Sequence, residues 1–166
     1  MTIRTAVWGI GNVGRPALRA VVSHAQLELT AVLVSSDSKK GEDAGTLAGL
    51  EPLGVVATQD LDPVLDQGID AMVYTASGDM RPAETVEDLA RVLRAGVDVV
   101  STSFYPLLHP SLCPQAIRDV IEAACREGDS SIFVSGMDPG WVVDVLPILL
   151  SGVVADIREV RIQELF

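Results

Sequence analysis

Thr5-Ala6-Val7-Trp8-Gly9-Ile10-Gly11-Asn12-Val13-Gly14-Arg15-Pro16 is the stretch that decides the fold. An apolar run leads into glycines spaced G-x-G-x-x-G, and a proline follows where the first turn of a helix would begin. The glycine spacing alone is a weak signal. A strand before it and a helix after it supply the context that a dinucleotide-binding turn requires. In that geometry Gly9 allows the tight turn out of the strand, Gly11 lets the backbone approach a pyrophosphate, and Gly14 lets the helix pack closely on the sheet. The anion would rest on free amides at the helix N-terminus, favoured by the helix dipole. Gly9, Gly11, Asn12, Val13 and Gly14 are therefore the first candidate cofactor-binding residues.

The rest of the chain repeats the same alternation. Apolar runs at residues 4–8, 27–34, 55–57, 70–75, 97–101 and 131–135 read as six strands. Helical patterns at 12–24, 82–95 and 114–126, with a short turn at 60–63, separate them. Gly96 is placed to end one helix as a C-cap, and Gly128 to end another. Strands regularly separated by helices imply a doubly wound α/β domain, a parallel Rossmann sheet joined by right-handed crossovers. Residues 41–54 form the one long irregular stretch, with four glycines, and a loop of that length is expected to be functional or mobile.

The last thirty residues follow another pattern. An apolar helix at 141–150 is opened by Asp138-Pro139-Gly140, and residues 156–166 then alternate apolar and charged as a half-exposed strand would. A strand with one apolar face needs a second sheet to cover it. The expected organisation is a dinucleotide-binding domain over residues 1–152, and in 153–166 the first strand of a domain that is missing or supplied by a partner chain. A homo-oligomer is the expected assembly.

Bulk properties narrow the function. The chain has 166 residues, is 48% hydrophobic and carries a formal net charge of −11. That charge argues against nucleic acid or an anionic membrane as partner, since both need a basic surface. No run approaches the roughly 18 to 20 apolar residues of a membrane span, and the N-terminus opens straight into a strand, so a cytoplasmic protein is expected. Cys113 and Cys125 have no metal-like spacing, and no metal site is expected. Two-domain dehydrogenases run to roughly 300 residues or more, so 166 leaves room for a nucleotide domain and little else.

In an open parallel sheet, ligands bind beyond the carboxyl ends of the strands. Small hydroxyl residues and glycines recur there: Ser35 and Ser36 after the second strand, Thr75-Ala76-Ser77-Gly78 after the fourth, and Ser101-Thr102-Ser103 after the fifth. Such residues suit close approach of a ribose and a nicotinamide. Thr75, Ala76, Ser77, Ser101 and Ser103 join the candidate set. The second strand end also bears on cofactor choice. An acidic residue roughly 20 positions past the glycines would hold the ribose 2′-hydroxyl of NAD, whereas cations and hydroxyls suit a 2′-phosphate. Here Ser35 and Ser36 occupy that place with Lys39 and Lys40 close behind, which favours NADP(H) over NAD(H). Asp37 keeps the NAD reading open.

Acid–base candidates are few. Tyr105, His109 and Asp138 lie after strands on the presumed ligand edge, and none is assigned as catalyst. The leading expectation is the nicotinamide-dinucleotide domain of an oxidoreductase acting on a small-molecule substrate. The alternatives are a cofactor-binding or oligomerising module without turnover, and a Rossmann-like domain for a mononucleotide or flavin.

Several segments together carry a family resemblance. The glycine turn, residues 40–49 (KGEDAGTLAG), Val73-Tyr74-Thr75-Ala76, Ser103-Phe104-Tyr105-Pro106 and residues 135–141 (SGMDPGW) resemble the N-terminal half of dihydrodipicolinate-reductase-like proteins. The branch most similar is that of 2,4-diaminopentanoate dehydrogenase and related NAD(P)H-dependent amine dehydrogenases. The resemblance implies hydride transfer between a nicotinamide cofactor and a carbon–nitrogen bond of a small amine or imine. It also implies that Gly9, Gly11 and Gly14 serve the pyrophosphate, Ser35, Ser36 and Lys39 the adenosine ribose, and Thr75, Ala76 and Ser77 the nicotinamide side.

Overall fold

A computed structural model describes residues 2–163 and divides the chain into two compact units, Met1–Val134 and Ser135–Phe166. In the first unit the strands are β1 (Ile3–Trp8), β2 (Leu27–Leu33), β3 (Ala57–Thr58), β4 (Ala71–Tyr74), β5 (Asp98–Ser101) and β6 (Ile132–Val134). The helices are α1 (Gly14–Ser23), α2 (Ala44–Ala48), α3 (Asp62–Leu65), α4 (Pro82–Arg94) and α5 (Gln115–Gly128). All five strand pairings are parallel, in the order β3-β2-β1-β4-β5-β6. The order reverses between β2-β1 and β1-β4, which places a topological switch point at the carboxyl end of β1, where Rossmann sheets open a ligand crevice.

Alternation along β1 and β2 builds a core on each face, as a sheet covered on both sides requires. Val7 and Val32 are fully buried and pack with Leu18, Val21, Ala44 and Ala48, which brings α1 and α2 onto one face. Ala6, Trp8, Ala31 and Leu33 point to the other core, with Met72, Leu89, Leu93 and Ile121 of β4, α4 and α5. Trp8 and Tyr74 meet edge-on there, with ring centroids 5.3 Å apart. Along the row Val7–Val73–Val100–Phe133 burial falls away toward the β6 edge, and Val100 of β5 and Phe133 of β6 are exposed.

The expected doubly wound domain is present, with helix and strand ends within a few residues of their predicted places. Residues 41–54 differ from expectation. They form an ordered excursion in which Asp43 caps α2 and an isolated bridge joins Asp43 to Val56. Short-range reading treats four glycines as loop; the backbone pairing across them is nonlocal.

In the second unit, Asp138, Pro139 and Gly140 are non-helical, and helical turns follow through α6 (Leu146–Ser151). This agrees with the predicted start of that helix. The two compact units divide after Val134, where the last sheet strand ends, so the helix groups with the C-terminal segment; the expected domain division was after residue 152. The alternating residues 156–163 form no strand, because a strand needs a ladder partner and none pairs with them among the described residues. Residues 164–166 of that expected strand lie outside the described set. Within this unit, Leu146, Leu150, Val154, Ile157, Val160 and Ile162 line an apolar groove of about 450 Å³.

Candidate functional site: a dinucleotide edge

The carboxyl ends of β1, β2 and β4 enclose a cleft of about 210 Å³ whose wall includes Gly9, Gly11, Ser35, Ser36, Lys39 and Ala76. Its shape depends on the three glycines, and each acts differently. Gly9 has φ +99°, and a Cβ there would lie 2.5 Å from the Ala76 amide nitrogen. Gly14 is closed in more severely, since a Cβ would meet the Gly9 carbonyl oxygen at 1.7 Å. Gly11 is the opposite case. Nothing lies within 4 Å of a Cβ built on it, so its lack of a side chain leaves open space in front of the backbone.

That space adjoins the N-terminus of α1. Val13 is the N-cap, no side chain caps the helix, and no acidic residue occupies its first turn. The first amides of a helix have no intrahelical acceptor, so an anion fits there both by hydrogen bonding and by charge. A pyrophosphate therefore fits the residues present. Asn12 is exposed beside the turn and outside the cleft lining, while half-exposed Val13 lines a second cleft.

Lys39 reaches back across the first cleft from the segment Asp37–Lys39. Its Nζ donates to the Ile10 carbonyl at 2.6 Å, which fixes an ammonium beside the glycine turn. Ser35 and Ser36 are exposed on the same wall, and the Ser36 and Ser38 hydroxyls lie 2.7 Å apart. Asp37 faces elsewhere. Its carboxylate accepts from Gln59 Nε2 at 3.0 Å, and the same amide group donates to the Ser35 carbonyl at 3.2 Å. Lys40 is exposed and does not line the cleft.

The second cleft, of about 300 Å³, shares Thr75, Ala76 and Ser77 with the first and continues to Asp79, Met80 and Tyr105. Several predicted hydroxyls here hold the backbone together. Thr75 Oγ1 donates to the Gly9 carbonyl at 2.6 Å. Buried Ser101 accepts from the Ser103 amide at 3.0 Å, with its Oγ 3.0 Å from the Tyr74 carbonyl. Ser103 Oγ accepts from the Gly78 amide at 2.8 Å. Ser77, by contrast, is exposed and lines both clefts.

Asp79 is a residue that the sequence reading did not single out. It accepts from the Tyr105 amide at 2.9 Å and the Phe104 amide at 3.2 Å, so it ties the loop after β4 to the loop after β5. Phe104 is fully buried at φ +70°, a left-handed backbone that this tie and its packing hold in place. A second tie comes from Thr85, whose hydroxyl donates to the Gly78 carbonyl at 3.1 Å and lies 3.5 Å from the Tyr74 hydroxyl. Burial pushes the Tyr74 phenol above its ordinary range, which keeps it neutral as a structural group. The same rule that directs attention to strand ends would have found Asp79, four residues past Thr75.

The other predicted acid–base residues divide. Tyr105 is exposed and lines the second cleft. His109 is exposed, and its Nδ1 pairs with the Ser111 hydroxyl at 2.9 Å in the following turn. Asp138 belongs to the second unit, in the non-helical segment before Trp141.

Asp43 is the other unpredicted organiser. Its carboxylate accepts from the amides of Gly45, Thr46, Leu53 and Gly54 at 2.7, 3.3, 3.0 and 2.8 Å. These donors, that of Leu53 foremost, hold its carboxyl below the usual carboxylate range. The loop therefore closes on one anion, while Arg19 of α1 donates to the Ala48 carbonyl at 2.6 Å and holds α2 against the nucleotide helix.

Comparison with known proteins agrees with this architecture. The family model described as dihydrodipicolinate reductase, N-terminus, matches residues 3–104. An amine dehydrogenase of Streptomyces virginiae is 50% identical over 165 residues, 99% of this chain and 46% of that protein. A 4-hydroxy-tetrahydrodipicolinate reductase of Trichormus variabilis is 43% identical over 138 residues, 80% of this chain and 47% of that protein. The solved structure of an amine dehydrogenase from Mycobacterium smegmatis superposes with a TM-score of 0.77 at 23% identity, covering 91% of this chain and 44% of that one, which shows the shared fold. The chain spans about half the length of these relatives. With the glycine turn, the strand order and the matched residues in agreement, the chain belongs to the dihydrodipicolinate reductase family and corresponds to its N-terminal, nicotinamide-dinucleotide-binding part.

Proposed function

We propose that this chain is the NADP(H)-binding half of an oxidoreductase that moves hydride between the nicotinamide and a carbon–nitrogen bond of a small amine or imine. The observation that carries the NADP preference is the pair of opposite dispositions at the end of β2. The Lys39 ammonium is fixed in the cleft by Ile10, beside the exposed hydroxyls of Ser35 and Ser36, whereas Gln59 turns the Asp37 carboxylate aside. A cation with hydroxyls suits a 2′-phosphate, and an NAD-selective site would present the carboxylate to the ribose. The bound dinucleotide supplies the hydride chemistry. The chain's own residues bind and orient it: Gly9, Gly11, Val13 and Gly14 by backbone and helix N-terminus, Ala76 and Ser77 along the shared wall. Similarity to the Streptomyces virginiae amine dehydrogenase over nearly the whole chain supports the carbon–nitrogen bond as the site of reaction.

The second unit is proposed to begin the substrate or oligomerisation half, with its apolar groove covered by further polypeptide or by a second copy. The proposed compartment is the cytoplasm, on the charge and on the two free cysteines.

Titration of the protein with NADPH and NADH by calorimetry tests the reading, with Lys39→Met as the companion variant. Wild type is expected to bind NADPH at least tenfold more tightly than NADH, and Lys39→Met to weaken NADPH about tenfold or more while changing NADH by less than threefold, as loss of one charge-assisted phosphate contact implies. Equal affinities in the wild type would remove the NADP assignment, and no binding of either at millimolar cofactor would remove the function.

A further inference from the structure

We propose that Asp79 is the substrate anchor of the site, a carboxylate that receives the cationic nitrogen of an alkylamine. The inference rests on the proposed function above and adds the residue that holds the amine nitrogen and the charge state in which it is held. The two clefts share the wall formed by Thr75, Ala76 and Ser77, and they hold opposite charges: Lys39 lines one, Asp79 the other. Among the described residues that line them, Asp79 is the one acidic side chain. A dinucleotide is polyanionic, so its phosphates belong in the cleft of the lysine and glycine turn. A fixed carboxylate in the other cleft disfavours an anionic substrate and favours a cation.

The geometry suits a receiving group. A carboxylate has about four acceptor positions, and the Phe104 and Tyr105 amides use two of them. Those two bonds hold the group in place before a ligand arrives, so little side-chain freedom remains to be lost on binding. Exposed Met80 and Val13 offer apolar surface in the same cleft, which suits the alkyl part of an amine whose nitrogen meets Asp79.

Propylammonium is the probe, with 1-propanol as its neutral counterpart, each titrated into the NADP-loaded protein and followed by amide NMR. The Phe104 and Tyr105 amides donate to Asp79 and report on it directly. Both are expected to shift with propylammonium and not with 1-propanol. Asp79→Asn is expected to weaken propylammonium at least tenfold while NADPH affinity changes less than twofold, and Asp79→Glu to recover part of the loss. Should Asp79→Asn fail to fold, the unmodified protein's two amide signals decide the matter. Unshifted Phe104 and Tyr105 amides, or unchanged amine affinity in Asp79→Asn, overturn the anchor while the cofactor reading stands. Weaker NADP⁺ relative to NADPH in that variant, with amine binding unchanged, assigns the carboxylate to the cofactor ring and also overturns it. Absence of NADPH binding to wild type overturns both readings together.

Discussion

Gly11→Ala separates folding from ligand binding at one atom. No atom lies within 4 Å of the added methyl group, and the backbone at Gly11 is outside the left-handed region. The folded state accommodates alanine, while the unfolded chain loses freedom, so stability should rise by about 0.4–1 kcal/mol. For a domain of this size that is a melting-temperature gain of about 1–4 °C. A bound pyrophosphate meets the same methyl group in the space the glycine leaves open. Loss of one charge-assisted hydrogen bond, about 1.5–3 kcal/mol, corresponds to NADPH binding weakened about 10- to 150-fold. Differential scanning fluorimetry and NADPH fluorescence titration read the two quantities on the same sample. Gly14→Ala is the control of opposite kind, because its methyl group collides with the Gly9 carbonyl at 1.7 Å. Overpacking against backbone of about 3 kcal/mol would lower the melting temperature by roughly 6–12 °C. NADPH affinity of wild-type strength in Gly11→Ala would refute the placement of the phosphates.

Two further outcomes concern the scaffold. The Asp43 carboxyl is held below its unfolded value, so its stabilisation is present above the ordinary carboxylate range and lost as pH falls through the lower folded value. Protection of the Gly45, Leu53 and Gly54 amides against hydrogen exchange, measured relative to the intrinsic rate at each pH, should therefore fall on acidification below about pH 4, and in Asp43→Asn at neutral pH; unchanged protection in that variant would show that the carboxylate does not hold the loop. Asp129, the C-cap of α5, sits at φ +49°. Asp129→Gly should relieve about 1 kcal/mol of left-handed strain and raise the melting temperature by about 2–4 °C, and a fall would contradict that reading.

The sheet was legible because its signals are local. β1, the glycine turn and α1 announce themselves within twelve residues, and alternation of Ala6, Val7 and Trp8 between two cores is a period-two pattern. Lys39 and Ser36 were singled out by distance along the chain from the glycines, a spacing that the parallel crossover imposes, and both line the cleft that Gly9 and Gly11 line. What sequence could not show was direction. Thr75, Ser101 and Ser103 are hydroxyl residues at strand ends, as expected, yet they turn onto the backbone groups of Gly9, Tyr74 and Gly78. Asp79 escaped notice because its partners are amides 25 or 26 residues away, and the clasp at Asp43 because two of its four donors lie 10 or 11 residues away, beyond the local cap at Gly45 and Thr46; no periodicity records such distances. The strand expected at 156–166 had the right alternation, but alternation only proposes a face, and pairing requires a neighbour.

The inward-turned hydroxyls have a consequence for how such an edge can change over time. Because Thr75, Ser101 and Ser103 are struts, the surface offered to a ligand is mostly main chain, small side chains and two charges of opposite sign. Shape recognition and charge selection are thus carried by separate residues. If Lys39 and Asp79 have the roles proposed for them, a change at position 39 retunes which nicotinamide dinucleotide is accepted, and one at position 79 which substrate charge, without dismantling the joinery that keeps the crevice open.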